Sequence, residues 1–176
     1  TFALYMSFNL EKGAAGALAT GFLPPRFSVV DINTDGAMKE KALDEKSLGL
    51  LQQRYELLVK LRDAERSRIQ GFGREMATFD DFYSAAFQLL SDSRWPEAFR
   101  ITDEDKQRYG ETSLGAACIL ARNILLQNAG THYIHLCHPG WDHHVHIWDH
   151  SKDDNHYKLC DDYDKAFGTL MDDLST

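Results

Sequence analysis

The sequence predicts an α/β fold that is rich in helices and has few strands. The opening stretch "TFALYMSF" alternates apolar and other residues with the period of two that is typical of a strand. Further on, "SLGAACILARNILLQNAG" has a helical pattern that ends at Gly130, and "THYIHLCH" follows it at once with strand-like alternation. A helix joined to a strand by so short a connection indicates an α/β layer.

Composition limits the class of protein. With 43% hydrophobic and 26% charged residues in a chain of 176, we expect ordinary globular folding as one domain. Because the chain starts at Thr1 within a strand-like stretch, residues 1–176 are predicted to be a single partial domain. The formal charge of −8 argues against a nucleic-acid partner, and no apolar run approaches the ~20 residues of a membrane span. Composition does not indicate an oligomeric state.

The middle of the chain is predicted to be largely helical. After an irregular loop, "LEKGAAGALATGFLPPRF", residues 40–70 form one long helix or two helices broken near Gly49, with a leucine stripe expected in the core. "TFDDFYSAAFQLLSD" has Thr78 as its N-cap, and "TDEDKQRYG" is a short helix between Thr102 and Gly110.

The last segment, "HYKLCDDYDKAFGTLMDDL", is predicted to be an amphipathic helix packed on the sheet. Its apolar face would consist of Leu159, Tyr163, Phe167, Leu170, Met171 and Leu174. The three cysteines lack the CxxC spacing of a zinc knuckle, and we expect them to be plain core residues. They are Cys118, Cys137 and Cys160.

The candidate metal-binding residues are concentrated in "HLCHPGWDHHVHIWDH", residues 135–150. All eight histidines of the chain lie between His132 and His156. Because this stretch follows a predicted strand and precedes a helix, it occupies the carboxyl end of a strand, where open α/β sheets place ligand sites. Neutral imidazoles and carboxylates together suit zinc and similar divalent cations.

Asp142, His144 and His146 are the predicted metal ligands. In an extended chain His144 and His146 point the same way, whereas Asp142 and His146 are one helical turn apart, so either geometry brings two ligands together. Zinc is the preferred ion, with manganese or calcium as alternatives. Trp141 and Trp148 are expected to line the site and exclude water from it. Residues expected to orient the ligands are His138, His143, His150 and Trp141.

Two metal-enzyme motifs compete for the same histidines. "HVHIWD" resembles the His-x-His of metal-dependent amidohydrolases, but that motif ends the first strand of a (β/α)8 barrel, and about 140 mostly helical residues precede it here. "HVHIWDH" also approaches the His-x-His-x-Asp-His of metallo-β-lactamases, with one residue too many before its Asp. The extra residue lies inside the ligand cluster and argues against the metallo-β-lactamase motif, whereas an amidohydrolase-like metal enzyme stays an alternative.

Four separate blocks agree in order and spacing with a third family. They are "GFLPPRF", "RYGETSLGAACILARNILLQNAGTHYIHL", "GWDHH" and "LCDDYDKAFGTLMDDL". Together they resemble the bacterial domain-of-unknown-function family 1501, whose members are exported, sulfatase-like proteins of the alkaline phosphatase-like superfamily. The resemblance runs from about Gly21 to the C-terminus. It implies a central fragment of an alkaline phosphatase-like α/β/α sandwich.

The resemblance also implies a function. Members of that superfamily hydrolyse or transfer phosphate and sulfate esters at divalent-metal sites, so the expected substrate is a small-molecule or glycan ester. Asp142 and His144 match the family's Gly-Trp-Asp-x-His, whereas His143 stands where Thr is common. The full-length protein would be periplasmic or extracellular.

Two segments of the family have no counterpart here, its glycine-rich N-terminal turn and its later Gly-Glu-Phe-Gly-Arg-Thr-Pro. No catalytic nucleophile is therefore identified, and the fragment alone is expected to be inactive. A non-catalytic metal- or glycan-binding surface protein is the rival hypothesis.

Overall fold

The described part of the fold contains a short parallel sheet. The computed structural model describes residues 5–8, 29–34, 45–66, 84, 87–88, 92–152 and 155–175. Within them the strands are β1 (Tyr5–Phe8), β2 (Val30–Ile32) and β3 (Tyr133–Leu136). They run parallel in the order β2-β1-β3, with Met6 opposite both Val30 and Ile134. β1 and β3 confirm the two predicted strands, whereas β2 was not predicted.

Helices make up most of the described residues, which confirms the helix-rich α/β class. They are α1 (Glu45–Arg66), α2 (Trp95–Ala98), α3 (Asp103–Tyr109), α4 (Ser113–Leu126) and α5 (His156–Leu174). α1 continues through Gly49, so the single-helix alternative is correct. The loop at residues 10–27 lies outside the described residues, as does most of the helix predicted from Thr78.

Side-chain caps set where three of these helices begin. Thr102 and Asp105 form a reciprocal capping box at the start of α3, which confirms the predicted N-cap. Thr112 accepts a hydrogen bond from the backbone of Gly115 at the start of α4, and Asn155 accepts one from Lys158 at the start of α5. Such caps satisfy backbone N–H groups that lack an intrahelical partner.

α4 is the central packing element because it is buried on two sides. One side packs its small residues against Met6 and Phe8 of β1. The other side joins α3 and α5 through a second cluster, consisting of Tyr109, Leu114, Cys118, Ile119, Ala166 and Leu170. The buried alanines Ala116, Ala117 and Ala121 have no γ atoms, so they leave room for neighbouring elements to pack closely against α4.

The packing of α5 differs from the prediction. α5 packs mainly on α4 and α3 rather than on the sheet. Ala166 and Leu170 face this contact and are buried, while Tyr163, Met171 and Leu174 of the predicted apolar face are exposed. α4 packs against both the sheet and α5, so the buried side of α5 meets mainly helices and not the sheet.

Two further core predictions are wrong. In α1, Leu50, Leu57 and Leu61 are 47%, 58% and 57% exposed, although the leucine stripe was expected in the core. Periodicity identifies an apolar side of a helix but does not supply a neighbour to cover it. Of the cysteines, Cys118 is buried as expected, whereas Cys160 is exposed on α5.

Candidate functional site at the carboxyl edge of the sheet

The histidine-rich loop lies at the carboxyl edge of the parallel sheet. The backbone N–H of Cys137, directly after β3, donates to the carbonyl of Phe8 at the end of β1 (3.0 Å). At the end of β2, the Thr34 hydroxyl donates to the carbonyl of Ser113 in the first turn of α4 (2.8 Å). The loop therefore occupies the edge where α/β sheets bind ligands, as the sequence predicts.

Asp142 and His144 face each other at the exposed tip of this loop. Asp142 Oδ1 lies 3.1 Å from His144 Nε2, and the two side chains are 92% and 83% exposed. Gly140, two residues earlier, has φ +99° and lies against Leu159, so the turn before the pair uses a backbone conformation that favours glycine. The structure thus brings together a carboxylate and an imidazole that were both predicted as metal ligands.

His146 has a different neighbour from the one expected. Its backbone adopts the left-handed conformation, with φ +58°, and its Nδ1 lies 3.9 Å from Asp149 Oδ2. Asp149 also accepts hydrogen bonds from the hydroxyl and backbone N–H of Ser151, which lower the pKa of its carboxyl. In the described part of the chain, no three His, Cys, Asp or Glu side chains form a group that could hold a metal ion.

His138 ties the loop to two helices. Its Nδ1 accepts a hydrogen bond from the indole N–H of Trp141 (3.2 Å), so in the neutral ring Nε2 carries the proton. Nε2 lies 3.2 Å from Asp162 Oδ2 on α5, and Asp162 accepts a further bond from the Thr112 hydroxyl that caps α4. His138 therefore positions Trp141, the residue beside Asp142.

The remaining predicted residues gather around the first turn of α5. The His150 ring stacks on Tyr157 with ring centroids 4.0 Å apart. Trp141 and Trp148 both pack against the His156 ring, at 5.0 Å and 5.3 Å, and the His143 ring lies 5.9 Å from it. The two tryptophans thus enclose His156 rather than the Asp142–His144 pair.

A charged cluster at the other end of α5 was missed by the sequence analysis. Arg122 Nη1 on α4 lies 2.8 Å from Asp105 Oδ1 on α3 and 3.1 Å from Asp173 Oδ2 on α5. The buried Tyr109 hydroxyl donates to Asp173 (2.7 Å), and burial together with this bond raises the pKa of Tyr109. The two sequence blocks that contain Leu-Ala-Arg and the terminal Asp-Leu include Tyr109, Arg122 and Asp173, but only the fold shows that these residues meet.

The fold and the loop define an α/β protein with a candidate ligand site at the carboxyl edge of a parallel sheet. A family model described as protein of unknown function (DUF1501) matches residues 4–176, and the chain therefore belongs to the DUF1501 family. No curated protein and no solved structure matches the chain. Among the described helices, none has the length and apolar character needed to cross a membrane.

Proposed function

We propose that this chain is part of a metal-dependent hydrolase of phosphate or sulfate esters that is exported in its full-length form. The observation that carries the proposal is the Asp142–His144 pair, whose facing atoms are 3.1 Å apart beyond the carboxyl end of β3. Carboxylate oxygen and imidazole nitrogen are ligands that suit zinc, with manganese or calcium as alternatives. The chain belongs to a family of unknown function over residues 4–176, and it is the resemblance of that family to sulfatase-like proteins that favours ester hydrolysis.

The residues at this edge have distinct roles in the proposed site. Asp142 and His144 would hold the cation, and His146 is a candidate third ligand if the loop rearranges around the ion. When bound, a divalent cation polarises a phosphoryl or sulfuryl oxygen or activates the attacking group. His138 keeps Trp141 in place through its bond to the indole N–H, and so orients the turn that carries Asp142.

The exposure of the pair suits a substrate that approaches from solvent. Both side chains are open to solvent at the loop tip, so a polar ester can reach them without opening the core. The two facing ligands leave coordination positions for substrate, for water or for residues of the full-length protein. Open coordination positions are the mark of a catalytic rather than a structural metal site.

Calorimetric titration of the chain with Zn²⁺ and Mn²⁺ tests the ligand assignment. We expect the double substitution Asp142→Ala and His144→Ala to weaken binding at this site about tenfold or more, since two ligands are removed. Asp161→Ala with His132→Ala is the matched control, because it removes one exposed carboxylate and one exposed imidazole outside the loop. Equal affinity in both double variants would show that the pair is not the metal site.

Ester hydrolysis is tested on the full-length protein, with aryl phosphate and aryl sulfate as probes. We expect turnover that depends on added metal and is lost in the Asp142→Ala, His144→Ala variant. Metal binding without turnover of either ester would reject the hydrolase and leave a binding protein.

Exposed aromatic side chains favour a second candidate, a non-catalytic glycan-binding surface. Trp148 is 64% exposed and lies beside Tyr157, with ring centroids 5.7 Å apart. Large amphipathic rings that remain open to solvent are enriched where proteins bind partners. A glycan array separates the two functions: glycan binding that Trp148→Ala removes, in a protein without ester turnover, would establish the second.

A further inference from the structure

We propose that His143 and His156 form a second metal site, separate from the Asp142–His144 pair, which takes one divalent transition-metal ion that prefers imidazole, such as zinc, copper or nickel. The inference does not depend on the proposed hydrolase. Three observations support it: two buried ring nitrogens lack a hydrogen-bond partner, the two rings are close together, and aromatic side chains pack against one of them.

The nitrogens concerned are His143 Nε2 and His156 Nδ1. Among the described residues, these are the two buried side-chain nitrogen or oxygen atoms that lack a hydrogen-bond partner. Buried polar atoms almost always have a partner, and one without a partner loses the free energy of its hydration. Both exceptions are imidazole nitrogens on neighbouring rings, and a neutral imidazole nitrogen is the commonest protein ligand for metals.

The spacing of the rings fits a shared ion. The ring centroids of His143 and His156 are 5.9 Å apart, and the ring planes meet at 66°. An ion about 2 Å from a ligating nitrogen stands about 3.2 Å from that ring's centroid, so two rings sharing one ion have centroids about 5–6 Å apart. The observed separation lies within this range.

The surroundings hold His156 in place and limit access of water. Trp141 and Trp148 pack against its ring, and its backbone N–H donates to the carbonyl of Ile147 (2.9 Å). Asn155 caps α5 immediately before it. A ligand on the first turn of a capped helix has a fixed position, and aromatic walls strengthen electrostatic interactions with an ion.

The two tryptophans also supply a specific signal. Cu²⁺ quenches the fluorescence of an indole that lies close to it, and both Trp141 and Trp148 contact the His156 ring. Trp95, the third tryptophan, packs instead beside the core around β1. Titration with Cu²⁺ therefore reports on the loop, and calorimetry with Zn²⁺ gives the affinity.

The test uses His143→Gln with His156→Gln, and His132→Gln as the control for loss of an exposed histidine. We expect the double variant to lose Cu²⁺ quenching and to bind Zn²⁺ at this site about tenfold more weakly or worse. The control and the Asp142→Ala, His144→Ala variant should keep the quenching. Thermal melts without metal check that each variant is folded, and the single variants His143→Gln and His156→Gln replace the double if it does not fold.

Unchanged quenching and Zn²⁺ affinity in the His143→Gln, His156→Gln variant would overturn the inference and assign the two nitrogens to bound water. Loss of all binding in the Asp142→Ala, His144→Ala variant alone would likewise overturn it, while supporting the proposed hydrolase site. Loss of Cu²⁺ quenching in the glutamine variant, with the quenching kept in the Asp142→Ala, His144→Ala variant, would support the second site. Zn²⁺ affinity at the Asp142–His144 pair is then judged separately, by the calorimetric comparison given for the proposed hydrolase.

Discussion

Arg122 on α4 donates a hydrogen bond to Asp173 on α5, with Nη1 3.1 Å from Oδ2, although the two residues are 51 positions apart in the sequence. The same nitrogen lies 2.8 Å from Asp105 on α3, so one guanidinium joins three helices. Burial alone would lower the pKa of Arg122, but the bonds from Asp105 and Asp173 raise it above its ordinary value. The cluster holds the end of α5 opposite the end that carries His156.

Removing Arg122 should destabilise the fold strongly. The side chains of Arg122 and Asp173 are 14% and 17% exposed, so Arg122→Ala leaves two largely buried carboxylates without their shared cation. We expect a loss of about 2–4 kcal/mol in the free energy of unfolding, measured by urea denaturation. Arg100→Ala breaks the exposed pair with Glu97 and should cost under about 1 kcal/mol. Equal losses for the two variants would contradict the role of the cluster.

Stability should fall in acid because of the same cluster. The bonds from Arg108, Tyr109 and Arg122 hold the pKa of Asp173 below its ordinary value. Burial raises the pKa of Asp105, but the bonds from Arg122 and Thr102 outweigh it and the net shift is downward. In the unfolded chain such a carboxyl has a pKa of about 4, and in the folded protein its pKa is lower. The carboxyl therefore stabilises the folded state fully at pH values above its unfolded pKa, and this stabilisation is lost as the pH falls through its folded-state pKa.

Urea denaturation at pH 7, 5 and 3 measures this effect. We expect the free energy of unfolding to change little between pH 7 and 5 and to fall between pH 5 and 3. Asp173→Asn removes one of the two carboxyls, so its stability should be lower at pH 7 and should fall less steeply below pH 5. Identical pH profiles for the two proteins would rule out this explanation.

Gly115 in α4 should not tolerate alanine. A Cβ there would stand 2.3 Å from the carbonyl oxygen of Gly110 and 2.9 Å from that of Tyr109. Although alanine is the better helix former, we expect Gly115→Ala to destabilise by about 1–3 kcal/mol, since backbone must shift. Gly168 in α5 has nothing within 4 Å of its Cβ position, so Gly168→Ala should stabilise by up to about 1 kcal/mol. Melting temperatures that rise in both variants would refute the close contact.

The cysteines should differ in reactivity. Burial, aided by the charge of Asp162, raises the pKa of the Cys118 thiol to about 12, whereas Cys160 is exposed. Because the thiolate is the reactive form, we expect a disulfide reagent to modify Cys160 rapidly and Cys118 only on unfolding. Mass spectrometry of the labelled peptides checks this, and Cys160→Ser should abolish the fast phase at that position. Rapid labelling of Cys118 in the native protein would contradict its burial.

The sequence by itself determined the features that depend on neighbouring residues. The α/β class, the strands β1 and β3, the helical character of residues 45–66 and the caps of α3 follow from periodicity and capping, which act within a few residues. Whether the helix continues through Gly49 was left open by the sequence and is decided by the structure. The position of the histidine loop followed in the same way, because a strand precedes it and a helix follows it. Asp142 and His144 were named from their residue types and spacing, and the fold places them face to face.

Tertiary structure alone decided the rest. β2 has three residues and too little periodicity to be recognised until it pairs with β1. α5 packs on α4 instead of the sheet, and Arg122 meets Asp173, because contacts between distant segments depend on which surfaces the whole chain brings together. The pairing of His143 with His156 has the same origin. The sequence shows that eight histidines lie in one stretch of the chain. Only the packing of the folded chain shows which two of them have a buried ring nitrogen without a hydrogen-bond partner.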